Sequence, residues 1–284
     1  RTSWGLILLC RIRMLRPLVA VAPHFLCSLM RIASWNCNSL KARLDIVRDW
    51  VAADNADVLL LQETKSQDEN FPRDVFTDMG WHVAFHGQKT YNGVAILSRD
   101  PLSDVICGLP GDETDEQARY IEATVNGIRV ASIYLPNGNP APGPKFDYKL
   151  AWMERLYARS QILLAGEMPV VLGGDFNVIP QDIDCYDPPG WAGDALTRIE
   201  SRAAFFKICY GGYMDALRAL HPTGVFYSYW DYQAGAWQRD NGVRIDHLLL
   251  SPEAGDKLRA VGIDRAPRGL EKPSDHTPIW CELE

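Results

Sequence analysis

Ala56-Asp57-Val58-Leu59-Leu60-Leu61-Gln62-Glu63-Thr64-Lys65 runs through continuous apolar residues and stops abruptly at a polar Gln-Glu pair. Such a run reads as a buried strand that delivers one carboxylate to its exposed end. Four further segments repeat the design: Ile32-Ala33-Ser34-Trp35-Asn36, Val170-Val171-Leu172-Gly173-Gly174-Asp175-Phe176-Asn177, Arg244-Ile245-Asp246-His247 and Ser274-Asp275-His276-Thr277-Pro278. Each is a β-like run with Asn, Asp or His at or near one end.

Acidic and amide side chains converging from several strand ends make an oxygen-rich site, which suits Mg²⁺ or Mn²⁺ better than zinc and points to chemistry on phosphate. Taken singly, each Asp or Asn could simply make a turn. Taken in order from Arg31 to the C-terminus, the segments resemble the exonuclease III family of abasic-site (AP) DNA endonucleases, within the endonuclease/exonuclease/phosphatase superfamily. The resemblance implies an α/β fold of the DNase I kind. This is a four-layer sandwich of two packed mixed sheets flanked by helices, with the active site at the edge where strand-end loops meet.

Carried over residue by residue, the resemblance makes Glu63 the principal metal ligand, with Asn36 orienting it or completing its shell. Asp175 would serve the attacking water or the leaving oxygen, and Asn177 would donate to the phosphoryl group. The metal set also takes in Asp175, Asn177, Asp275 and His276. His276 can donate to a non-bridging oxygen or exchange a proton near neutral pH, and Asp246 would fix its tautomer. Tyr134 would set its hydroxyl against the scissile phosphate with Asn137 close by, where core packing is the plainer reading. Gln62 reads as structural and His247 as a strand residue. The small residues Gly173 and Gly174 would leave room for a phosphate.

Three segments favour the abasic endonuclease branch: His86-Gly87-Gln88-Lys89 with Gly93-Val94-Ala95, Glu116-Gln117-Ala118-Arg119, and Tyr229-Trp230-Asp231-Tyr232 leading to Gly242-Val243-Arg244-Ile245-Asp246. Tyr229, Val243 and Ile245 fall where family members build an apolar pocket for a sugar that has lost its base. Lys41, Arg43, Lys65, Lys89, Arg119, Asn137 and Lys272 are the candidates for contacts to the DNA backbone. There are departures, because Ser39 and Thr90 stand where relatives often carry Gly, and Asp240 where Asn is common. The loop around Pro188–Phe206 also differs, which bears on groove contacts by Arg198 or Arg202.

The expected activity is Mg²⁺-dependent cleavage 5′ to abasic sites in duplex DNA, with 3′-end trimming as an exonuclease or phosphatase. Two alternatives stand beside it: a phosphodiesterase of the same fold acting on RNA or a lipid headgroup, and a non-catalytic nucleic-acid-binding regulator. Neither a G-x-S-x-G elbow nor a GK[ST] loop is present, which argues against serine-hydrolase and P-loop chemistry.

At 284 residues the chain can bury a substantial core. No low-complexity linker divides it, so residues 30–284 read as one catalytic domain and as a monomer. The first 29 residues carry four Arg and no acidic residue, and read as an extension dispensable to the domain. Their apolar patches fall well short of the roughly 20 residues of a spanning helix. A formal net charge of −7 does not exclude a nucleic-acid substrate, because a carboxylate-built metal site is itself negative and a local basic rim still steers phosphate. Seven Cys without CxxC or zinc-like spacing read as reduced thiols of a cytoplasmic protein.

Overall fold

A computed structural model describes residues 29–284, and the extension expected over residues 1–29 lies outside it but for Leu29. In chain order the elements are β1 (Met30–Asn36), α1 (Leu44–Ala52), β2 (Val58–Gln62), α2 (Arg73–Thr77), β3 (His82–His86), β4 (Val94–Ser98), β5 (Ser103–Cys107), β6 (Tyr120–Val125), β7 (Ile128–Tyr134), α3 (Pro144–Leu164) and β8 (Val170–Asp175). There follow α4 (Ile199–Tyr210), β9 (Met214–Asp215), α5 (Ala216–Leu220), β10 (Asp246–Leu250), α6 (Pro252–Gly255), β11 (Leu258–Ile263) and β12 (Ile279–Leu283). The strands form two six-stranded sheets, ordered β11-β12-β1-β2-β4-β3 and β5-β6-β7-β8-β10-β9. Each sheet has one parallel pair near its middle, β1 with β2 and β7 with β8, and the rest is antiparallel. Those parallel pairs need crossovers, which α1 and α3 supply.

The apolar run of β2 is explained by burial on both faces. Val58 and Leu60 point into the gap between the sheets with Ile32, Val130, Val171, Leu248 and Leu250. Leu59 and Leu61 point the other way, with Trp35, Val47 and Phe76 beneath α1 and α2. On the second sheet Tyr120, Ile133, Leu172 and Leu249 face Trp152, Leu156 and Phe205 of α3 and α4. Helix, sheet, sheet and helix make the four layers.

The inward positions change character along each strand in the same sense. They read Ile32, Ser34, Asn36 on β1; Val58, Leu60, Gln62 on β2; Val130, Ser132, Tyr134 on β7; Val171, Gly173, Asp175 on β8; and Leu250, Leu248, Asp246 on β10. Period-two alternation keeps all of them in the inter-sheet gap, which is therefore apolar at one end and polar at the other. Gln62 ties the sheets together at the polar end, donating from Nε2 to Ser132 Oγ at 3.0 Å across the gap.

Gly173 and Gly174 serve packing rather than a phosphate. A Cβ on Gly173 would lie 2.6 Å from Leu60 Cδ1 and 2.8 Å from Leu248 Cδ2, and one on Gly174 would strike the Ile133 carbonyl. We expect Gly173→Val to destabilise the fold by about 1–3 kcal/mol, the usual range for overpacking a filled core. A urea melt within 0.5 kcal/mol of the parent, roughly the scatter of neutral substitutions, would contradict this packing.

The sequence pattern predicts a helix over Met214–Leu220 and a strand over Val225–Trp230, and the structure departs from both. Met214 and Asp215 pair with Leu250 and Leu249 as β9 and are not helical. Asp215 then caps α5, accepting from Leu217 N at 3.1 Å. Val225–Trp230 is not a strand, since Val225 is exposed and Tyr229 makes only isolated bridges to Val243 and His276. Ser39, Thr90 and Asp240 all adopt left-handed backbone, with φ of 86°, 70° and 55°. Gly and Asn tolerate that conformation most readily, which accounts for the family's preference at these positions.

Candidate active site

The register brings the polar ends together. Asp175 on β8 pairs directly with Tyr134 on β7 and with Asp246 on β10, so the three lie in one row across the second sheet. Asn36, at the end of β1, faces that row from the first sheet. Its Nδ2 donates to Asp175 Oδ2 at 2.9 Å and to Glu63 Oε1 at 2.9 Å. Its Oδ1 accepts from the Asn38 amide at 3.0 Å, which fixes the amide's orientation.

Glu63 follows the last residue of β2, where a continued strand would turn it toward the helical layer. A left-handed backbone at φ 50° breaks the alternation, and the carboxylate reaches Asn36 instead. The next turn is pinned by Thr64 N to Gly93 O at 3.1 Å and by Ser39 N to Glu63 O at 2.7 Å. A side chain on Gly93 would collide with Thr64 Oγ1 at 2.2 Å, so only Gly permits this approach. Burial tends to raise the Glu63 carboxyl, but hydrogen bonds from Asn36 and Lys65 together with the Lys65 charge hold it below its ordinary value. The Lys65 ammonium lies 2.8 Å from Glu63 Oε2 and donates to Asn38 Oδ1 at 2.5 Å.

His276 lies between two carboxylates. Nδ1 donates to Asp246 Oδ2 at 2.8 Å, and Nε2 lies 3.7 Å from Asp175 Oδ2. Burial alone would favour neutral imidazole, yet the Asp246 and Asp175 charges outweigh it and push the ring above its ordinary value. Asp175 shifts up too, chiefly by burial, with Asp246 and Glu63 adding to the rise and His276 opposing it. Asp246 Oδ2 also accepts from Ser228 Oγ at 2.6 Å, while its buried Oδ1 has no hydrogen-bond partner among the described residues. The Tyr229 ring meets His276 edge-on, 4.9 Å between centroids.

Asn177 does not extend the strand, which ends at Asp175. It turns left-handed at φ 48°, with its backbone N donating to Asp175 Oδ1 at 2.9 Å. Its side chain accepts from Asn137 Nδ2 at 3.0 Å and donates to Leu135 O at 2.9 Å. Arg119 lies over the Tyr134 ring at 4.7 Å. Burial, then the charges of Glu63 and Asp175, raise the Tyr134 phenol well above its ordinary range.

Asp275 stands at the rim, accepting from Asn38 Nδ2 at 2.9 Å, so it reaches the cluster through Asn38. Arg43 does not reach toward solvent. Its guanidinium clasps Asn38 O at 2.5 Å, Tyr232 Oη at 2.9 Å and Pro273 O at 3.1 Å, which commits it to the β1 loop rather than to a phosphate. Lys41, Lys89 and Lys272 are exposed. Val243 and Ile245 are 1 % and 3 % exposed and pack with Phe146, Ile179 and Leu196, so they floor the region beside Tyr229. A cavity of about 180 Å³ lies there, with Trp191, Tyr229 and Val243 among its walls.

The arrangement also employs residues that motif reading passes over. Ser228 holds Asp246, Asn38 links Glu63's neighbours to Asp275, and Lys149 lies fully buried beneath Asn137 and Asn177. Arg244 is buried and binds Asp184 Oδ1 at 2.7 Å and Asp215 Oδ2 at 2.8 Å. It also donates to His247 Nδ1 at 2.9 Å, leaving Nε2 to donate to Val178 O at 3.0 Å beside the site loop. Removing the cation while leaving its buried carboxylates costs about 3–5 kcal/mol. We therefore expect Arg244→Met to lose stability on that scale in denaturant melts, and a loss under 1 kcal/mol, as for an exposed pair, would refute the network's role.

Oxygen donors dominate the cluster, which fits a hard divalent cation. Asp175, Asp246 and His276 bring three donor atoms within 4.8 Å of one another, but the closest of those contacts is His276 bonded to Asp246. The Glu63 side chain is 17 % exposed, against 2 % for Asp175 and 0 % for Asp246. Of these three carboxylates Glu63 is the one that solvent reaches, and it already attracts a cation in Lys65.

With this geometry in view, the comparisons with known proteins agree with one another. Exodeoxyribonuclease III of Haemophilus influenzae is 34 % identical over 271 residues, covering 90 % of this chain and all of that protein. The 3′-5′ exonuclease NExo of Neisseria meningitidis superposes with a TM-score of 0.88 at 43 % identity, covering 90 % of this chain and 100 % of that one. A further structure, described as 3′ phosphatase NExo from Neisseria bound to a product DNA hairpin, matches with a TM-score of 0.88 at 42 % identity, covering 90 % and 99 % of the two chains. An AP endonuclease from Archaeoglobus fulgidus gives 0.87 at 38 % identity, again over 90 % and 99 % of the two chains. The profile of the endonuclease/exonuclease/phosphatase family matches residues 33–276, and the chain belongs to that family.

Proposed function

We propose that this chain is a metal-dependent phosphodiesterase of DNA repair, cutting 5′ to abasic sites and trimming blocked 3′ ends of duplex DNA as a monomer in the cytoplasm. The observation that carries the reading is the joining of two half-sites through Asn36, which binds Glu63 with one edge of the cleft and Asp175 with the other. A non-catalytic regulator has no need of that convergence. Among the described residues no helix is long and apolar enough to cross a membrane.

Glu63 would hold Mg²⁺ or Mn²⁺, with Asn36 fixing its orientation and Asp175, Asn177 and Asp275 around it; His276, protonated at both nitrogens against Asp246, has no lone pair for the ion and leaves the expected metal set. When bound, the ion supplies positive charge against the phosphate and the leaving oxygen. The raised Asp175 aligns the attacking water and takes its proton as the new P–O bond forms. The P–O3′ bond breaks, and the 3′ oxygen leaves as a hydroxyl after taking a proton from solvent. His276, kept cationic by Asp246, donates from Nε2 to a non-bridging oxygen, where negative charge builds. Tyr134 and the Asn137–Asn177 pair face the same phosphate. Tyr229, over a floor of Val243 and Ile245, borders the place for the baseless sugar. Lys65 and Arg119 flank it, and Lys41, Lys89 and Lys272 offer charge to the DNA backbone.

The deciding assay incubates the purified protein with Mg²⁺, or with EDTA, and four substrates. These are duplex DNA with one abasic analogue, duplex with a 3′-phosphate, intact duplex, and single-stranded RNA. Metal-dependent cleavage of the first two ahead of the RNA is expected. Preference for RNA, or cleavage that EDTA leaves untouched, would sink the proposal.

A further inference from the structure

The buried stripe of α3 runs Phe146, Lys149, Trp152, Met153, Leu156, Ser160, Leu163, and one of its members is a lysine with no accessible surface. Helical spacing would set an apolar residue there, and Leu or Met would fill the space without desolvating a charge. The ammonium has no carboxylate within ion-pair distance among the described residues. It donates instead to two backbone carbonyls, Asn137 O at 3.0 Å and Asn177 O at 2.5 Å. The β7–α3 loop closes directly on its stem: a Cβ at Gly138 would lie 2.7 Å from Lys149 Cδ. Such a group is costly to bury and adds nothing to the apolar core, so folding alone gives it no rationale.

Its placement does. Asn137 and Asn177 belong to loops that leave neighbouring strands, β7 and β8; the ladder's last bond is Leu135 N to Asp175 O at 2.9 Å, and beyond it the backbones of residues 137 and 177 share Lys149 as their common donor. Lys149 holds both carbonyls from below, and above it the side chains meet, Asn137 Nδ2 to Asn177 Oδ1 at 3.0 Å. The same residue carries the Asn177 N–H that orients Asp175 at 2.9 Å. Burial lowers the Lys149 ammonium to about 7, with Asp175 and Asp194 opposing the fall.

We propose that Lys149 is a positioning residue for phosphodiester hydrolysis, clamping the Asn137 and Asn177 backbones so that their paired amides and the Asp175 carboxylate face the phosphate in register. The proposal rests on the nuclease reading above. It separates Lys149 from a residue of purely structural value, because a clamp affects turnover while a core residue affects stability.

The test compares the parent with Lys149→Met and Lys149→Arg, measuring melting temperature, kcat and KM on 3′-phosphate duplex with Mg²⁺. Lys149→Met removes a buried charge but also the donor to the Asn137 and Asn177 carbonyls, so the two effects oppose each other and the melting temperature should change little. Its kcat should fall by about 10²-fold, the cost of a misplaced catalytic group, with KM little changed. Lys149→Arg, which keeps the charge and donors, should recover part of the rate. Should the Met variant fail to fold, Lys149→Gln is read by the same criteria. An active parent whose neutral variant retains kcat within threefold, or whose rate falls only in step with melting temperature, overturns the clamp and leaves the nuclease reading intact. A parent that cleaves no DNA overturns both.

Discussion

Glu63→Gln is expected to weaken divalent-cation binding at least about 100-fold, the upper end of what losing even an outer partner of a metal ligand costs. Cleavage at limiting Mg²⁺ should collapse with it. The amide keeps the length of the side chain and can still accept from Asn36 through its oxygen, as Glu63 Oε1 does at 2.9 Å. The other position becomes an NH₂ directed at the Lys65 ammonium, which now lies 2.8 Å from Oε2. Donor then faces donor, and Lys65 swings away. The variant therefore loses the ligand charge and disturbs the Asn38 contact that Lys65 also makes. Raising Mn²⁺ should restore part of the rate, because its binding is stronger at a given oxygen and nitrogen site. Calorimetric titration of the protein with the metal alone separates this role from any effect on DNA. Unchanged metal affinity in the variant would remove Glu63 as the principal ligand.

How far such roles could be read from sequence depends on the kind of contact involved. The strand ends were legible because buried strands are apolar without interruption and their polar residues mark where the core stops, as in Val58–Gln62. The sequence pattern predicts strands over Tyr120–Val125 and Leu258–Ile263, which the structure gives with those bounds, and Asn126-Gly127 predicts a hairpin turn, made with positive φ at both residues. Local alternation carried that information. It failed where tertiary contacts override it. Met214 was recruited into a ladder by β10, and Val225 lies on an exposed loop although Phe226 and Tyr227 follow it.

The site itself divides in the same way. Residues in the motifs converge as expected, whereas the groups that hold them are scattered through unremarkable segments. Ser228 reaches Asp246 from a loop without regular structure, and Lys149 sits one place before Leu150, the residue that the 3,4 spacing of Phe146, Leu150, Met153 and Leu156 predicts for the buried stripe. Nothing local distinguishes a serine that binds a carboxylate from one that meets water. The glycines of β8 misled for a related reason, since a missing side chain looks alike whether it admits a ligand or a neighbouring Leu60.

Asp175→Asn should lower kcat by about 10²- to 10⁴-fold, the usual worth of general acid/base assistance, while DNA binding holds or tightens because a negative charge beside phosphate is gone. The geometry adds a second consequence. Asp175 accepts at both oxygens, from Asn177 N at 2.9 Å on Oδ1 and from Asn36 Nδ2 at 2.9 Å on Oδ2. An asparagine cannot accept at both, so one position opposes a donor with a donor. The Asn177 amide is backbone and cannot turn away, so the conflict falls on Asn36. Asn36 cannot simply flip, since its Oδ1 is held by the Asn38 amide at 3.0 Å. Its displacement carries over to Glu63, which shares the same Nδ2. Asp175→Asn should therefore weaken metal binding as well as turnover, although Asp175 and Glu63 lie on different sheets. Asp175→Ala removes the carboxylate without presenting a donor, so it should lose a comparable rate yet retain more metal affinity. Measuring kcat, DNA affinity and metal affinity for both variants decides the matter. Equal metal affinity in the two would break the proposed link through Asn36, and a rate defect below about tenfold in both would remove Asp175 from proton transfer.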